Sequence, residues 1–220
     1  MNYIIHIKLL MIPTTVFQIF IGFDPRINHL LQDKIHRFFR ENLFYEHVFI
    51  TTEEQMIAFI EEKGNELLMN CYSKLDTMEA KVEFFKYLIL YVHGGIYLDI
   101  YKTTNMRMDD FITEGDSAIL SASETKGLYC TDVLFFEKNH PILERVLGLI
   151  IKYVNENRYN GDFEETVGEK LFSKAVRIGH FIEYNENVDS SNVKKYSEIR
   201  FTRPQFKYRI FGVEFNGVFY

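Results

Sequence analysis

The chain has 220 residues, 47% of them hydrophobic and 25% charged, with a formal net charge of −6. That length supports one well-buried α/β-sized core. The acidic balance argues against a broad phosphate-binding surface and leaves room for a local basic pocket for one pyrophosphate, so nucleic acid is not the expected partner. Cys71 and Cys130 lie far apart without a CxxC or Cys/His spacing, which argues for two buried thiols rather than a zinc or redox pair.

The apolar run at the N-terminus is interrupted by His6, Lys8 and Pro13, and no small-residue cleavage site follows it. No stretch reaches the roughly 18 to 20 apolar residues of a membrane helix. The expectation is an intracellular, cytoplasmic chain, or one peripheral to a membrane, with no transmembrane segment. A second expectation is that the domain starts near Met11-Ile12-Pro13, after a poorly packed extension.

In chain order, Val16 to Gly22 is a β-prone run closed by glycine, and Phe23-Asp24-Pro25-Arg26 has loop chemistry. Ile27, Leu30, Leu31, Ile35, Phe38 and Phe39 carry helical spacing over 27–42. His47 to Thr51 reads as a second strand, and Thr52 with Gln55 as a cap opening a helix that ends near Gly64. The clearest helix covers 78–92 and stops at His93-Gly94-Gly95; Ile96 to Tyr101 then reads as a strand that delivers Asp99 to its carboxyl end. Further strands are expected at Ser117 to Ser123 and Asp132 to Glu137. Helices are expected at Pro141 to Asn157 and Gly168 to Arg177, then strand-like segments and a polar loop from Phe181 onward. Strand and helix alternation of this kind predicts an α/β fold with a mostly parallel central sheet flanked by helices, whose sites lie at the carboxyl ends of strands.

Taken alone, an aspartate after an apolar strand is more often a turn or cap residue than a ligand. Here helix, Gly-Gly turn and aspartate follow one another without spare residues. Glu83-Phe84-Phe85-Lys86-Tyr87 followed by Gly94-Gly95-Ile96-Tyr97-Leu98-Asp99 resembles the hallmark of the DXD-containing sugar-transferase superfamily, which includes fungal outer-chain mannosyltransferases, toxin-type glucosyltransferases, and capsule and viral relatives. There the pattern is Ser-Asp-x-x-Arg-Tyr on a helix, then Gly-Gly-x-Tyr-x-Asp-x-Asp on a strand. Ile12-Pro13 and Phe17 to Gly22 resemble the family's opening strand, and His140-Pro141 and Thr166-Val167-Gly168 fit later landmarks more loosely. The resemblance runs from about residue 12 to 178, with 179–220 expected on the acceptor side of a single domain.

The resemblance implies a GT-A type fold, a nucleotide-sugar donor carrying a hexose-type sugar, a glycan or other hydroxyl acceptor, and manganese or magnesium. By position, Asp99 is the first aspartate of the metal motif, Glu83 the helix carboxylate that reads sugar or ribose hydroxyls, and Lys86 the base near the phosphates. Phe20, Ile21 and Gly22 border the donor nucleotide, and Gly94, Gly95 and Tyr97 shape the turn on which the donor lies. Phe20 and Tyr97 are either base-stacking or core aromatics. Asp132 is either a base or transition-state stabiliser facing the acceptor, or a turn residue at a strand start. Three positions depart from the pattern: Tyr101 replaces the second motif aspartate, Glu83 lengthens the helix carboxylate, and Lys86 exchanges a guanidinium fork for a point charge. These departures leave a second reading open, a catalytically silent nucleotide-sugar or carbohydrate-binding relative. Asp109 and Asp110 could supply the missing metal carboxylate, but their polar loop favours a helix or turn cap, and His93 and His140 are read as helix-end and loop residues outside the site. Oligomeric state, donor base and acceptor identity are open at this point.

Overall fold

The computed structural model describes residues 12–185, apart from 25, 27, 28, 64, 103–106, 111, 113–115, 121, 122, 124, 126 and 158–161. The expected N-terminal extension and the acceptor-side tail beyond 185 lie outside the described residues. In chain order the elements are β1 (Thr15–Ile19), α1 (His29–Glu41), β2 (Glu46–Ile50), α2 (Glu53–Glu62), α3 (Glu66–Ser73), α4 (Met78–His93), β3 (Gly95–Leu98), a 3₁₀ turn (Met108–Asp110), β4 (Ala118–Ile119), β5 (Val133–Phe136), α5 (Pro141–Asn155), α6 (Phe163–Thr166) and α7 (Glu169–Asn185).

Five of the helix starts have a local cause. Thr52 and Gln55 form a reciprocal capping box at α2. Asn65, Thr77 and Asp162 cap α3, α4 and α6 by accepting backbone N–H bonds. His140, expected in a loop, is instead the fully buried cap of α5: its Nδ1 accepts the Ile142 N–H at 3.2 Å, and Pro141 occupies the first helical position. Helix α3 has no counterpart among the expected elements. Helix α7 is longer than expected and continues through 181–185, where strand had been read.

The sheet has the order β2-β1-β3-β5-β4. The expected mostly parallel sheet is only half realised: β1 is parallel to β2 and to β3, whereas β5 runs antiparallel to both β3 and β4. The strand expected over 117–123 is reduced to Ala118–Ile119 among the described residues, and β3 stops at Leu98 so that Asp99 to Tyr101 form a turn.

Alternation along the strands divides the core into two layers. Phe17, Ile19, Tyr97, Leu134 and Phe136 pack with α2, α3, α4, α5 and α7. Val16, Ile96, Leu98, Val133 and Phe135 face the other way, toward Phe38 of α1 and toward Tyr45 and Met108. Helix α4 lies deepest, with every residue from Phe84 to Leu90 buried, which is why its sequence is apolar nearly all round. Where α4 turns into β3, Gly94 (φ 68°) and Gly95 (φ 104°) adopt left-handed conformations. A Cβ on Gly95 would stand 2.6 Å from the Thr15 carbonyl oxygen, and one on Gly94 would stand 2.6 Å from the Lys138 nitrogen.

Two outcomes follow for stability. Gly95→Ala combines a strained φ with a backbone clash and is expected to cost about 2–4 kcal/mol in urea denaturation, with a matching fall in Tm. His47 is half-buried and stacked between Phe39 and Phe49; burial, with a smaller contribution from His36, pushes it down to about 4. The unfolded chain, titrating near 6.5, takes up that proton first. The stability owed to neutral His47 is therefore complete above about pH 6.5 and drains as the pH falls toward 4. Melting curves across that window should show His47→Phe with a flatter decline than the parent chain.

Candidate functional site

Asp99 is the first residue past β3, and Asp132 is the last residue before β5. Antiparallel pairing aligns Leu98 with Val133, so the two aspartates become neighbours, and the Asp99 N–H donates to the Asp132 carbonyl at 2.8 Å. Asp99 then folds the chain back on itself. Its Oδ1 accepts the Tyr101 N–H at 2.9 Å, and its carbonyl accepts the Lys102 N–H at 2.9 Å. This turn returns the Lys102 side chain across the strand end, where its Nζ meets Asp132 Oδ2 at 3.2 Å. The turn and the ion pair, with side-chain exposures of 25% for Lys102 and 41% for Asp132, leave that charge pair facing solvent.

A second polar cluster lies behind it. Lys86 is 1% exposed, and its ammonium donates to Glu83 Oε1 at 2.5 Å and to the Thr131 carbonyl at 2.9 Å, while lying 5.0 Å from the centre of the Tyr97 ring. The remaining Glu83 oxygen accepts the Tyr87 hydroxyl at 3.2 Å, and that hydroxyl also lies 3.1 Å from the Val167 carbonyl oxygen. Thr131 precedes Asp132, so the buried ammonium fixes the backbone that presents the exposed carboxylate.

The electrostatics follow from burial and from these pairings. Burial raises the Glu83 carboxyl above its usual range, against the pull of Lys86. Asp99 is also raised, by burial first and by Asp132 as a like charge, with the Tyr101 N–H pulling the other way. Burial alone would depress the Lys102 ammonium, but Asp132 and, more weakly, Asp99 hold it above the ordinary lysine range. Glu169, at the start of α7, is raised by burial and by Asp132 and Glu164, and receives a 2.5 Å hydrogen bond from Ser123 Oγ.

The expected site residues therefore separate by place. Asp99 and Asp132 meet at one strand end. Phe20, Ile21 and Gly22 follow β1, the parallel neighbour of β3, and the Phe20 ring packs edge-on against Tyr101 at 6.0 Å. Glu83 and Lys86 stand behind this edge, with Lys86 buried and saturated by protein groups. Tyr97, 2% exposed, lies under Lys86 as a core ring. Gly94 and Gly95 sit at the amino end of β3, the opposite end from Asp99, against Lys138 and Thr15. Packing accounts for them there. Asp109 is taken by the Tyr45 hydroxyl and by Arg107. His93 packs its ring near Phe17 and Phe59. Lys102, Thr131 and Glu169 are additional to the sequence reading. For Lys102 the signal was a basic residue directly after the altered motif; for the other two it was pairing that a single sequence does not display.

A divalent ion at Asp99 would need carboxylate oxygens converging on one point. Asp99 gives one oxygen to its own turn, Asp132 is paired with Lys102, and position 101 supplies a phenol. No group of three or more His, Cys, Asp or Glu side chains that could hold a metal is present among the described residues. The side chains present do not fit a metal held by the two aspartates of a DXD motif.

The fold is GT-A-like, a five-stranded sheet flanked by helices. Residues 28–118, which include α4, β3 and Asp99, match the family described as glycosyltransferase sugar-binding region containing DXD motif. Among individual proteins, an uncharacterized glycosyltransferase of Acanthamoeba polyphaga mimivirus is 23% identical over 186 residues, 83% of this chain and 70% of that protein. HOC1 of Saccharomyces cerevisiae, which also carries a glycosyltransferase name, is 28% identical over 102 residues, 39% of this chain and 26% of HOC1. The PaToxG glycosyltransferase shares the fold, with a TM-score of 0.59, 14% identity, and coverage of 90% of this chain and 84% of that one. The resemblance read from the sequence therefore stands: the chain is similar, over residues 28–118, to the glycosyltransferase sugar-binding region containing the DXD motif. Among the described residues no helix is long and apolar enough to cross a membrane.

The buried pair supplies a test of this architecture. Lys86→Met leaves Glu83 without its cation and should destabilise the chain by about 3–5 kcal/mol, whereas the double change Glu83→Gln with Lys86→Met should recover much of the loss. Urea titrations of the two single variants and the double variant measure the difference.

Proposed function

We propose that this chain transfers a hexose-type sugar from a nucleotide-sugar donor to a hydroxyl of a glycan or another acceptor. The observation that carries this reading is the meeting of Asp99 and Asp132 at the solvent-facing end of β3, inside a chain related to glycosyltransferases. In that reaction the bond between the anomeric carbon and the β-phosphate oxygen breaks, and its electron pair stays on the nucleoside diphosphate. The acceptor oxygen forms the new bond to carbon and gives up its proton to solvent or to a nearby carboxylate.

The chain's own residues divide the work. The segment Phe20 to Gly22 and the Tyr101 ring border the nucleotide. Asp99 orients the sugar beside its anomeric carbon, and Asp132 lies on the acceptor side with Lys102. Glu83, one layer deeper and 17% exposed, is placed to receive a sugar hydroxyl at the rim while it neutralises Lys86. Resemblance puts manganese or magnesium at Asp99, but the donor set there does not complete such a site. The whole reads as one catalytic domain acting in the cytoplasm.

Asp99→Asn keeps an oxygen able to accept the Tyr101 N–H, so the turn and the fold survive while the charge is lost. Donor hydrolysis and transfer, followed across a panel of UDP-, GDP-, CDP- and ADP-sugars, should fall on the order of a hundredfold or more with Tm little changed. Full activity in that variant would remove Asp99 from the site. A parent chain that binds these donors without hydrolysis or transfer would identify a silent relative, the reading that Tyr101 favours.

A further inference from the structure

The DXD pattern normally gathers negative charge at a strand end to hold a divalent ion, yet this chain places a lysine there. Position 101 has lost its carboxylate, and its ring has turned toward Phe20. The next residue brings an ammonium to Asp132, the remaining exposed carboxylate beside Asp99. We propose that the Lys102 ammonium takes the place of the divalent cation and binds the diphosphate of the nucleotide-sugar donor without a metal. The inference rests on the donor reading above and adds the group that holds the donor's charge.

Three features set Lys102 apart from an ordinary surface lysine. Its backbone is fixed by the turn closed on the Asp99 carbonyl at 2.9 Å, so the side chain leaves the strand end in a defined direction. Its stem lines a pocket with Leu98, Ile100 and Gln18, whose buried Oε1 has no hydrogen-bond partner. The ammonium is thereby aimed by packing as well as by charge. Finally, an ammonium carries three N–H donors. Asp132 takes one at 3.2 Å, and the exposed side of the pair is where phosphate oxygens can approach the rest. Lys86 cannot perform this task, because it is buried and its donors are directed at Glu83 and Thr131.

The same geometry opposes a metal. A divalent ion bridging Asp99 and Asp132 would stand beside an ammonium already paired with one of its ligands, and like charges at such separation repel strongly where water is partly excluded. Phosphates at Lys102 meet Asp132 and Asp99 as like charges, so they approach the ammonium from its side turned away from those carboxylates. The ammonium lies between two kinds of anion, and Asp132 orients it toward the ligand.

Calorimetric titration of the full chain with UDP, GDP, CDP and ADP, in excess EDTA and then in excess manganese chloride, tests the assignment. At least one nucleoside diphosphate should bind in EDTA, with manganese changing its affinity less than about threefold. Lys102→Gln should weaken that binding about tenfold or more, and Lys102→Arg should keep it within about threefold, since one lost charge-assisted contact is of that size. Manganese strengthening the parent chain tenfold or more would overturn the assignment and leave the donor reading in place. So would Lys102→Gln binding as well as the parent chain in EDTA. Absence of binding for every diphosphate under both conditions would overturn the donor reading and this inference with it. Should Lys102→Gln fail to fold by circular dichroism, the EDTA and manganese comparison on the parent chain decides alone.

Discussion

A lysine ammonium that is 1% exposed must be repaid for its lost hydration, and the way Lys86 is repaid organises the site. Its effective desolvation penalty is several kcal/mol, more than one exposed ion pair returns. The compensation here comes from a carboxylate on the same helix, a carbonyl on the approach to β5 and two aromatic faces, Tyr97 at 5.0 Å and Tyr87 at 5.5 Å. Each of these partners is thereby fixed. Helix α4 cannot slide along the sheet without breaking the contact with the Thr131 carbonyl, and Thr131 cannot move without carrying Asp132 away from Asp99. Position of the exposed pair is thus inherited from a buried one.

Strand direction completes that placement. Had β5 run parallel to β3, its preceding residue Asp132 would have stood at the amino end of the sheet, a strand length away from Asp99. The antiparallel pairing inverts this, so the carboxyl end of one strand and the amino end of the next share an edge. On the other side, β1 is parallel to β3 and brings Phe20 to that same edge. One reversal within a partly parallel sheet therefore assembles three chain segments around Asp99.

Much of this was legible in the sequence because the signals were local. Thr52 with Gln55, the apolar run of α4 and the glycines after it announce their elements through capping, periodicity and positive φ, all of which act within a few residues. The association of Glu83 with Lys86 is also local, one helical turn apart. Strand direction is not local: β5 has the same apolar pattern whichever way it runs, and so the alternation suggested a parallel sheet. Gly94 and Gly95 were visible as special residues, but sequence could not distinguish a ligand's approach from that of the Thr15 and Lys138 backbone. Lys102 was hidden for a similar reason, since its meaning depends on Asp132, thirty positions away and joined to it only by the fold.

Tyr101 and Lys102 are best understood together. Replacing an aspartate by tyrosine at a strand end removes a charge and adds a large apolar face, which needs a partner in order not to be left in water. Phe20 is that partner, and Phe20 in turn packs against Phe23 at 5.8 Å and Phe23 against Phe49 at 4.9 Å. The aromatic chain ties the turn after β3 to the loop after β1 and gives that turn a wall on one side. Lys102, the next residue of the same turn, is paired with Asp132. The turn is thus tied to Phe20 through the Tyr101 ring and to Asp132 through the Lys102 ammonium.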